Sequence, residues 1–443
     1  MRHLAISTRW GAVKRLKLPE PGGLLIAAPA SGSGKTTVTL GLLRALRDRG
    51  IPVRSAKSGP DYIDPRFHAA ASGAECINLD AWAMGPDRIR TLASGEGVLI
   101  VEGAMGLFDG APPCGKGSSA DLARLLGLPV VLVLDCAKMA QSVAALATGF
   151  SRHDNSLRVE AVILNKVGSP RHEAMLRHAL APTGLQVLGA LYRQSDLAQP
   201  SRHLGLVQAE ERPDLDAFLS RAGQLAATSL DIDAILALAV TAPPIRRNPV
   251  KPVAPAQRIA VARDIAFAFA YPHLLDDWHR AGAEISFFSP LADEPAPDCD
   301  LIYLPGGYPE LHAGRIASNL NFIQSIRNAS QTTDIYGECG GYMALGQGLI
   351  DAGGQRHQMA GILDLETSFA DRKLHLGYRT LQATTGRFQG KWAGHEFHYA
   401  RTLTAVGQPL FAATDAEGQA LPPMGLIKGR VSGSFAHLID LQP

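Results

Sequence analysis

The sequence predicts an α/β protein of two domains, the first a parallel sheet covered by helices on both faces and the second a further α/β unit. Three observations carry that expectation. From Gly23 onward, short apolar runs alternate with helix-patterned segments, as in successive βαβ units. A glycine-rich turn joins the first such run to the first helix. The alternation then stops at a proline-rich stretch, residues 241–257, and restarts at Arg258.

Residues 24–28 (Leu-Leu-Ile-Ala-Ala) are the first expected strand. Residues 36–48 follow as a helix, with Val38, Leu42 and Ala45 among its inward positions. Expected strands at 98–101, 130–134 and 161–164 are each followed by a polar residue: Glu102, Asp135 and Asn165. Ligands of open α/β sheets sit beyond the carboxyl ends of the strands, so these three are placed for chemistry. Residues 241–257 hold five prolines and read as a semi-rigid linker. Beyond it, strands are expected at 258–262, 301–304 and 333–336. The resulting division is an N-terminal extension without order (1–22), a first domain (23–240), the linker (241–257) and a second domain (258–443), with no internal repeat.

Composition narrows the function classes. At 443 residues the chain exceeds one ordinary core. Its hydrophobic content of 46 % and charged content of 19 % are those of a soluble globular protein. A formal net charge of +2 points to neither a nucleic-acid nor a membrane partner. The longest apolar run, residues 128–134, is far too short to span a bilayer. Cys76, Cys114, Cys136, Cys299 and Cys339 are scattered and odd in number. That argues against a disulfide framework or a cysteine zinc site and favours a reducing, cytoplasmic compartment. Residues 1–22 carry Arg2, Arg9, Lys14, Arg15 and Lys17 before the first acid, Glu20, without the apolar core of a signal peptide.

Pro29-Ala30-Ser31-Gly32-Ser33-Gly34-Lys35-Thr36 follows a strand and opens a helix, the context a P-loop requires. Backbone N–H groups of Gly32, Ser33 and Gly34 and the helix N-terminus would cradle phosphates, Lys35 would reach the outer phosphates, and the Thr36 hydroxyl would bind Mg²⁺. Pro29 stands where the usual pattern has its first glycine. Asp61 and Asp64, in the loop Gly59-Pro60-Asp61-Tyr62-Ile63-Asp64-Pro65, and Glu102 supply further oxygen ligands. Asn165 is a candidate for reading the adenine edge.

The second half carries Tyr336-Gly337-Glu338-Cys339-Gly340-Gly341-Tyr342, the cysteine form of a nucleophile elbow. Taken alone, it is compatible with a protease, an esterase-like hydrolase or an amidotransferase. Gly306 and Gly307, at the end of an expected strand, are candidates for an oxyanion hole. His437, in Ser434-Phe435-Ala436-His437, is the candidate base, with His395-Glu396-Phe397-His398-Tyr399 competing for that role. The spacing of that second segment is not that of zinc peptidases, and it reads as facing substrate or an interface.

With these motifs in place, the chain resembles a known family, the glutamine-dependent a,c-diamide synthases of cobalamin biosynthesis. The resemblance covers nearly everything after residue 22. It rests on the P-loop, Lys57-Ser58-Gly59-Pro60-Asp61-Tyr62-Ile63-Asp64-Pro65, Glu102-Gly103-Ala104-Met105-Gly106-Leu107-Phe108-Asp109-Gly110, Pro305-Gly306-Gly307-Tyr308-Pro309-Glu310 and the cysteine and histidine motifs. Pro29 belongs to that family's pattern. The resemblance implies a P-loop domain similar to dethiobiotin synthetase and a class I, triad-type glutamine amidotransferase domain. It implies ATP, glutamine and a corrin polycarboxylate as small-molecule partners and Mg²⁺ as cofactor, and Lys57, Arg66 and Arg202 are the candidates for gripping the corrin carboxylates; a homodimer is left open.

The implied reaction amidates the a and c acetate groups through acyl phosphates, using ammonia released at Cys339, with His437 raising its nucleophilicity. Asp61, Asp64 and Glu102 are implied at the synthetase site. Triad amidotransferases commonly place a glutamate two residues after the histidine; here that position is Ile439, with Asp440 next, so no orienting acid is assigned. The P-loop and the segment from Lys57 to Pro65 are nearer to the enzymes of metal-free hydrogenobyrinate than to those of cobyrinate. A relative of cobyric acid synthase and a non-catalytic nucleotide switch are the competing readings.

Overall fold

The computed structural model describes residues 22–194, 201–202, 205–239 and 253–442. The expectations for residues 1–21, for residues 241–252 of the linker and for the Arg202 side chain lie outside the described residues.

Seven strands form the first sheet: β1 (Gly23–Ala27), β2 (Val53–Ser58), β3 (Cys76–Leu79), β4 (Val98–Glu102), β5 (Val130–Asp135), β6 (Val159–Val167) and β7 (Gln186–Tyr192). Their order is β3-β2-β4-β1-β5-β6-β7, parallel throughout. Strand periodicity divides the side chains between two cores. Leu25, Leu99, Val101, Val130 and Leu132 enter one, while Leu24, Ile26, Ile100, Val131 and Val133 enter the other. Both faces are therefore buried, as a parallel sheet requires. This register also assembles the site, because Glu102 on β4 sits opposite Ile26 on β1 and Lys57 on β2. The loop after β1 and the end of β4 thus share one edge.

After the two-residue strands β8 (Ser201–Arg202) and β9 (Gly205–Leu206), the second sheet begins. β10 (Arg258–Ala262), β11 (Glu284–Phe288), β12 (Leu301–Leu304) and β13 (Asp334–Glu338) are parallel in the order β11-β10-β12-β13. Strand Val431–Ser434 extends the sheet in parallel and Leu426–Lys428 closes it antiparallel. The α/β fold class holds, but this half is not purely parallel. Strands His375–Ala383, Gly390–His398 and Ala436–Gln442 belong to a separate five-stranded antiparallel sheet. Among the described residues, no helix is long and apolar enough to cross a membrane.

The halves are joined by packing and by polar contacts. Leu79 and Ala83 share a core with Tyr271, Trp278 and Ile439. Gln208 Nε2 donates to Ile265 O (2.8 Å), Tyr271 Oη to Pro60 O (3.2 Å) and Tyr378 Oη to Asp80 Oδ2 (3.0 Å). Arg88 bridges as well: its Nη1 lies 3.1 Å from Asp277 Oδ1 and its Nε 3.5 Å from Asp440 Oδ1. Burial raises the Asp440 carboxyl to about 6, with Arg88 pulling the other way. Arg88→Ala leaves two adjacent acids without their cation. We expect it to lower unfolding stability by about 3 kcal/mol near pH 8. Below pH 6 that cost shrinks, because a protonated Asp440 no longer carries the unpaired charge. Urea midpoints at pH 8 and pH 5 measure both effects, and a pH-independent cost would remove the carboxylate explanation.

Candidate active sites around one cavity

Helix α1 (Lys35–Asp48) starts where the glycine-rich loop ends. Gly34 adopts φ 88°, and a Cβ there would collide with the Asn165 amide. Asn165 Nδ2 donates to Ser33 O at 2.9 Å, so in this structure the amide braces the loop rather than facing outward. Lys166 braces it too, its Nζ lying 2.8 Å from Gly32 O and 2.7 Å from Asp135 Oδ2. Lys35 Nζ donates to Met105 O at 2.5 Å. Burial lowers the Lys35 value, partly countered by Glu102.

A buried charge cluster lies beside the loop. Thr36 Oγ1 donates to Glu102 Oε1 at 2.7 Å and lies 3.5 Å from Asp64 Oδ2. Lys57 Nζ sits 2.5 Å from Asp64 Oδ2 and 2.9 Å from Glu102 Oε1. His68 Nε2 lies 2.6 Å from Glu102 Oε2. Burial opposes ionisation of Glu102, but Lys57 and His68 outweigh it and hold its carboxyl below the usual carboxylate range. Burial likewise opposes the charge on His68, yet Glu102 raises it to about 10, so the imidazole is an imidazolium at neutral pH. Burial works against Lys57 too, and Asp64, Glu102 and Asp61 hold its ammonium well above the usual lysine range. Asp61 stands at the margin. Its Oδ2 is 3.9 Å from Lys57 Nζ, while its Oδ1 accepts the Ile63 and Asp64 N–H groups. Burial and neighbouring Asp64 raise it to about 6.

The second site is built on a strained turn. Cys339, between β13 and helix Gly340–Ala344, holds φ 46°, a region that costs a non-glycine residue energy and that clusters at functional positions. Met105 and Lys166, both against the P-loop, share positive φ. A Cβ on Gly306 would collide with His437 Cε1 and lie 3.2 Å from Cys339 Cβ. The thiol and the imidazole therefore flank one glycine that admits no side chain. His437 Nδ1 points the other way, 3.5 Å from Glu338 Oε2. Burial, then the Glu310 carboxylate, pushes the Cys339 thiol up. His395 pairs across strands with His437. Burial, with His437 adding, lowers His395 to about 3, leaving it neutral.

Cys339 faces a cavity of about 740 Å³ that Asp61, at the margin of the first site, also borders. Asp61, Tyr62 and Met105 line it from the first half, and Gly307, Cys339, His395 and Tyr399 from the second. Tyr62 reaches across to the second half, its ring centroid 4.7 Å from that of His437. At the rim, Leu376 and Phe397 form a cross-strand pair and remain 57 % and 42 % exposed.

The structure thus brings Thr36, Asp64 and Glu102 together, and separately Cys339, His437, Gly306 and Gly307. Two candidates for binding substrate carboxylates are engaged elsewhere in this structure. The Lys57 ammonium is enclosed by Asp64 and Glu102. Arg66 turns away from the large cavity, donating to Ala268 O and lining a smaller pocket beside Arg263. Asp440, the acid nearest His437 in the following sequence, is engaged by Arg88. Sequence reasoning missed His68, although it lies four residues after Asp64 on helix α2 (Asp64–Ser72), the spacing that puts two side chains on one face. Among the described residues, the three-residue His/Cys/Asp/Glu group compact enough for a metal is His375, Glu396 and His398. Arg379 Nη2 lies 2.8 Å from Glu396 and already neutralises it.

Two family models match the chain. Residues 24–207 match the family model described as a CobQ/CobB/MinD/ParA nucleotide binding domain, and residues 258–442 the CobB/CobQ-like glutamine amidotransferase domain. A hydrogenobyrinate a,c-diamide synthase of Brucella abortus biovar 1 (strain 9-941) is 57% identical, covering 94% of this chain and 98% of the relative. One of Rhodobacter capsulatus, with the same name, is 53% identical over 95% of this chain and 99% of that protein. With identity at this level running through both halves, the chain belongs to the hydrogenobyrinate a,c-diamide synthase family.

Proposed function

We propose that this chain converts hydrogenobyrinate to its a,c-diamide, using ATP to activate each carboxylate and glutamine as the nitrogen source. The observation that carries the reading is one cavity lined from the second half by the Cys339 thiol and from the first by Asp61, beside the charge cluster of the phosphate-loop site. Residues 23–239 act as the synthetase and residues 258–442 as the glutaminase.

In the glutaminase half, the Cys339 sulfur attacks the glutamine amide carbon while its proton passes to His437. The Gly306–Gly307 turn supplies backbone donors for the oxyanion. His437 returns the proton to the leaving nitrogen, ammonia departs, and water then hydrolyses the thioester to glutamate. In the synthetase half, a substrate carboxylate oxygen takes the γ-phosphoryl group and ADP leaves. Ammonia attacks the acyl carbon, phosphate departs, and a proton is released. Lys35 and the loop N–H groups of Gly32, Ser33 and Gly34 hold the phosphates.

The Thr36, Asp64 and Glu102 oxygens, with Asp61 beside them, are the hard donors Mg²⁺ takes, so these residues fit a magnesium site. Bound there, the ion would neutralise phosphate charge during transfer. The exposed Leu376–Phe397 pair at the rim supports a broad, partly apolar ligand such as a corrin face.

The test is an assay of purified enzyme with ATP, Mg²⁺, glutamine and either hydrogenobyrinate or cobyrinate, followed by product mass. The diamide of hydrogenobyrinate is expected, with ATP consumed in step. ATP hydrolysis indifferent to both corrinoid and glutamine would sink the reading, and a preference for cobyrinate would overturn the metal-free assignment.

A further inference from the structure

The glutaminase half lacks an acid at the position two residues after its histidine, where Ile439 is fully buried in the core. We propose that Glu338, the residue immediately before the nucleophile, is the acid that orients His437. The assignment rests on the glutaminase reading above and adds a residue that the motif comparison leaves blank.

Four observations support it. Glu338 and His437 are both almost wholly buried, and Glu338 Oε2 lies 3.5 Å from His437 Nδ1. Among the described residues, that nitrogen has no hydrogen-bond partner. A buried imidazole N–H left so is costly, and the separation is one that closes on substrate binding, since catalytic hydrogen bonds are often long without substrate. The carboxylate is itself fixed: Oε1 accepts the Leu438 N–H at 3.0 Å and Oε2 accepts the Tyr303 hydroxyl at 2.7 Å. Finally, Asp440 is held by Arg88 on the far side of the interface.

The local geometry explains how consecutive residues serve two sides of one imidazole. Glu338 closes β13, and the chain turns sharply at Cys339. The glutamate carboxylate stays buried against Tyr303 and the Leu438 N–H while Cys339 borders the cavity. An anion facing Nδ1 fixes its proton there. Nε2, on the Gly306 and Cys339 side, is then left to accept the thiol proton, and the imidazolium that forms is stabilised. Glu338 touches neither substrate nor the reacting atoms, so it is a positioning residue.

Glu338→Gln tests this with little change of shape. The amide oxygen can still accept from Leu438 N–H and the amide nitrogen can donate to Tyr303, but the charge facing Nδ1 is gone. We expect the kcat for glutamate release from glutamine to fall by about 10²- to 10⁴-fold, as when a triad acid becomes an amide. KM for glutamine should stay nearly constant. Synthesis from ammonium chloride, which runs in the other half, reports folding, and Glu338→Asp should recover part of the lost kcat. Retained kcat in the Gln variant, or a parallel fall in ammonia-dependent synthesis, would overturn the role of Glu338. Wild-type enzyme that releases no glutamate would overturn the glutaminase reading and this assignment with it.

Discussion

Replacing Cys339 with alanine is expected to abolish synthesis from glutamine while synthesis from free ammonia continues. The two outcomes separate because the thiol belongs to one half of the molecule and the phosphate loop to the other. Without the sulfur there is no thioester, and glutamate release should fall by at least about 10³-fold, the scale seen when a nucleophile is removed from a unit that acts together. Ammonia supplied from solution needs only the cavity and the synthetase residues. Alanine also keeps the strained backbone: φ 46° at residue 339 is as unfavourable for Ala as for Cys, so the variant isolates chemistry from conformation.

The resting thiol sharpens the expectation further. Burial, reinforced by Glu310, pushes Cys339 above the ordinary cysteine range, so it waits as a thiol and not a thiolate. Its proton must reach His437 in the same event as attack, once glutamine has excluded water and offered its carbonyl. Iodoacetamide should therefore label Cys339 slowly in free enzyme at neutral pH. Measuring glutamate release, ammonia-dependent product and alkylation on the same preparations decides the matter. Loss of ammonia-dependent synthesis in Cys339→Ala would make Cys339 a structural residue instead.

The limits of sequence reading follow from what each element packs against. β1, β4 and β5 were legible because both faces of their sheet are apolar, so the strands read as continuous hydrophobic runs. β2 was not. Its sequence, Val-Arg-Ser-Ala-Lys-Ser, is buried for the most part, but Lys57 serves the charge cluster and the polar Arg54, Ser55 and Ser58 carry no hydrophobic signal. The antiparallel strands after Gly340 were missed for a different reason. Arg401–Val406 is exposed along its whole length, and Ala420–Met424 contains two prolines, so neither alternates apolar with polar. At the sites, Cys339 and Lys35 announced themselves by glycine-rich turns, whose spacing is a backbone requirement. Glu338 and His68 act through partners far away in sequence, 99 residues on at His437 and at Glu102, and such pairings come from how separate elements pack and, for the placement of Glu102, from the strand register, rather than from any motif.

That register makes Glu102 the most consequential residue of the synthetase half. It is fully buried and meets Thr36, Lys57 and His68 at once. Glu102→Gln keeps the volume but removes the one charge facing His68, and it turns an amide N–H toward a ring nitrogen that had been donating. Taking one partner from a buried ion pair costs about 3–5 kcal/mol. The lower end is expected here, because Lys57 retains Asp64 at 2.5 Å. The pH dependence identifies the cause. His68 is raised from 6.5 to about 10 by this pairing, so its contribution is fully present below 6.5 and is lost as pH rises through 10. Glu102 is held below its usual value, so its share is present above 4.5 and is lost as pH falls through that lowered value. The stability gap between wild type and Glu102→Gln should therefore be widest near pH 6 and close toward pH 10, as read from urea midpoints. Product formation should fall at least about 10²-fold from glutamine and ammonia alike, because the damage lies at phosphoryl transfer and not at nitrogen release. A variant that folds with a pH-independent deficit, or that loses only the glutamine-driven reaction, would place Glu102 outside the synthetase chemistry.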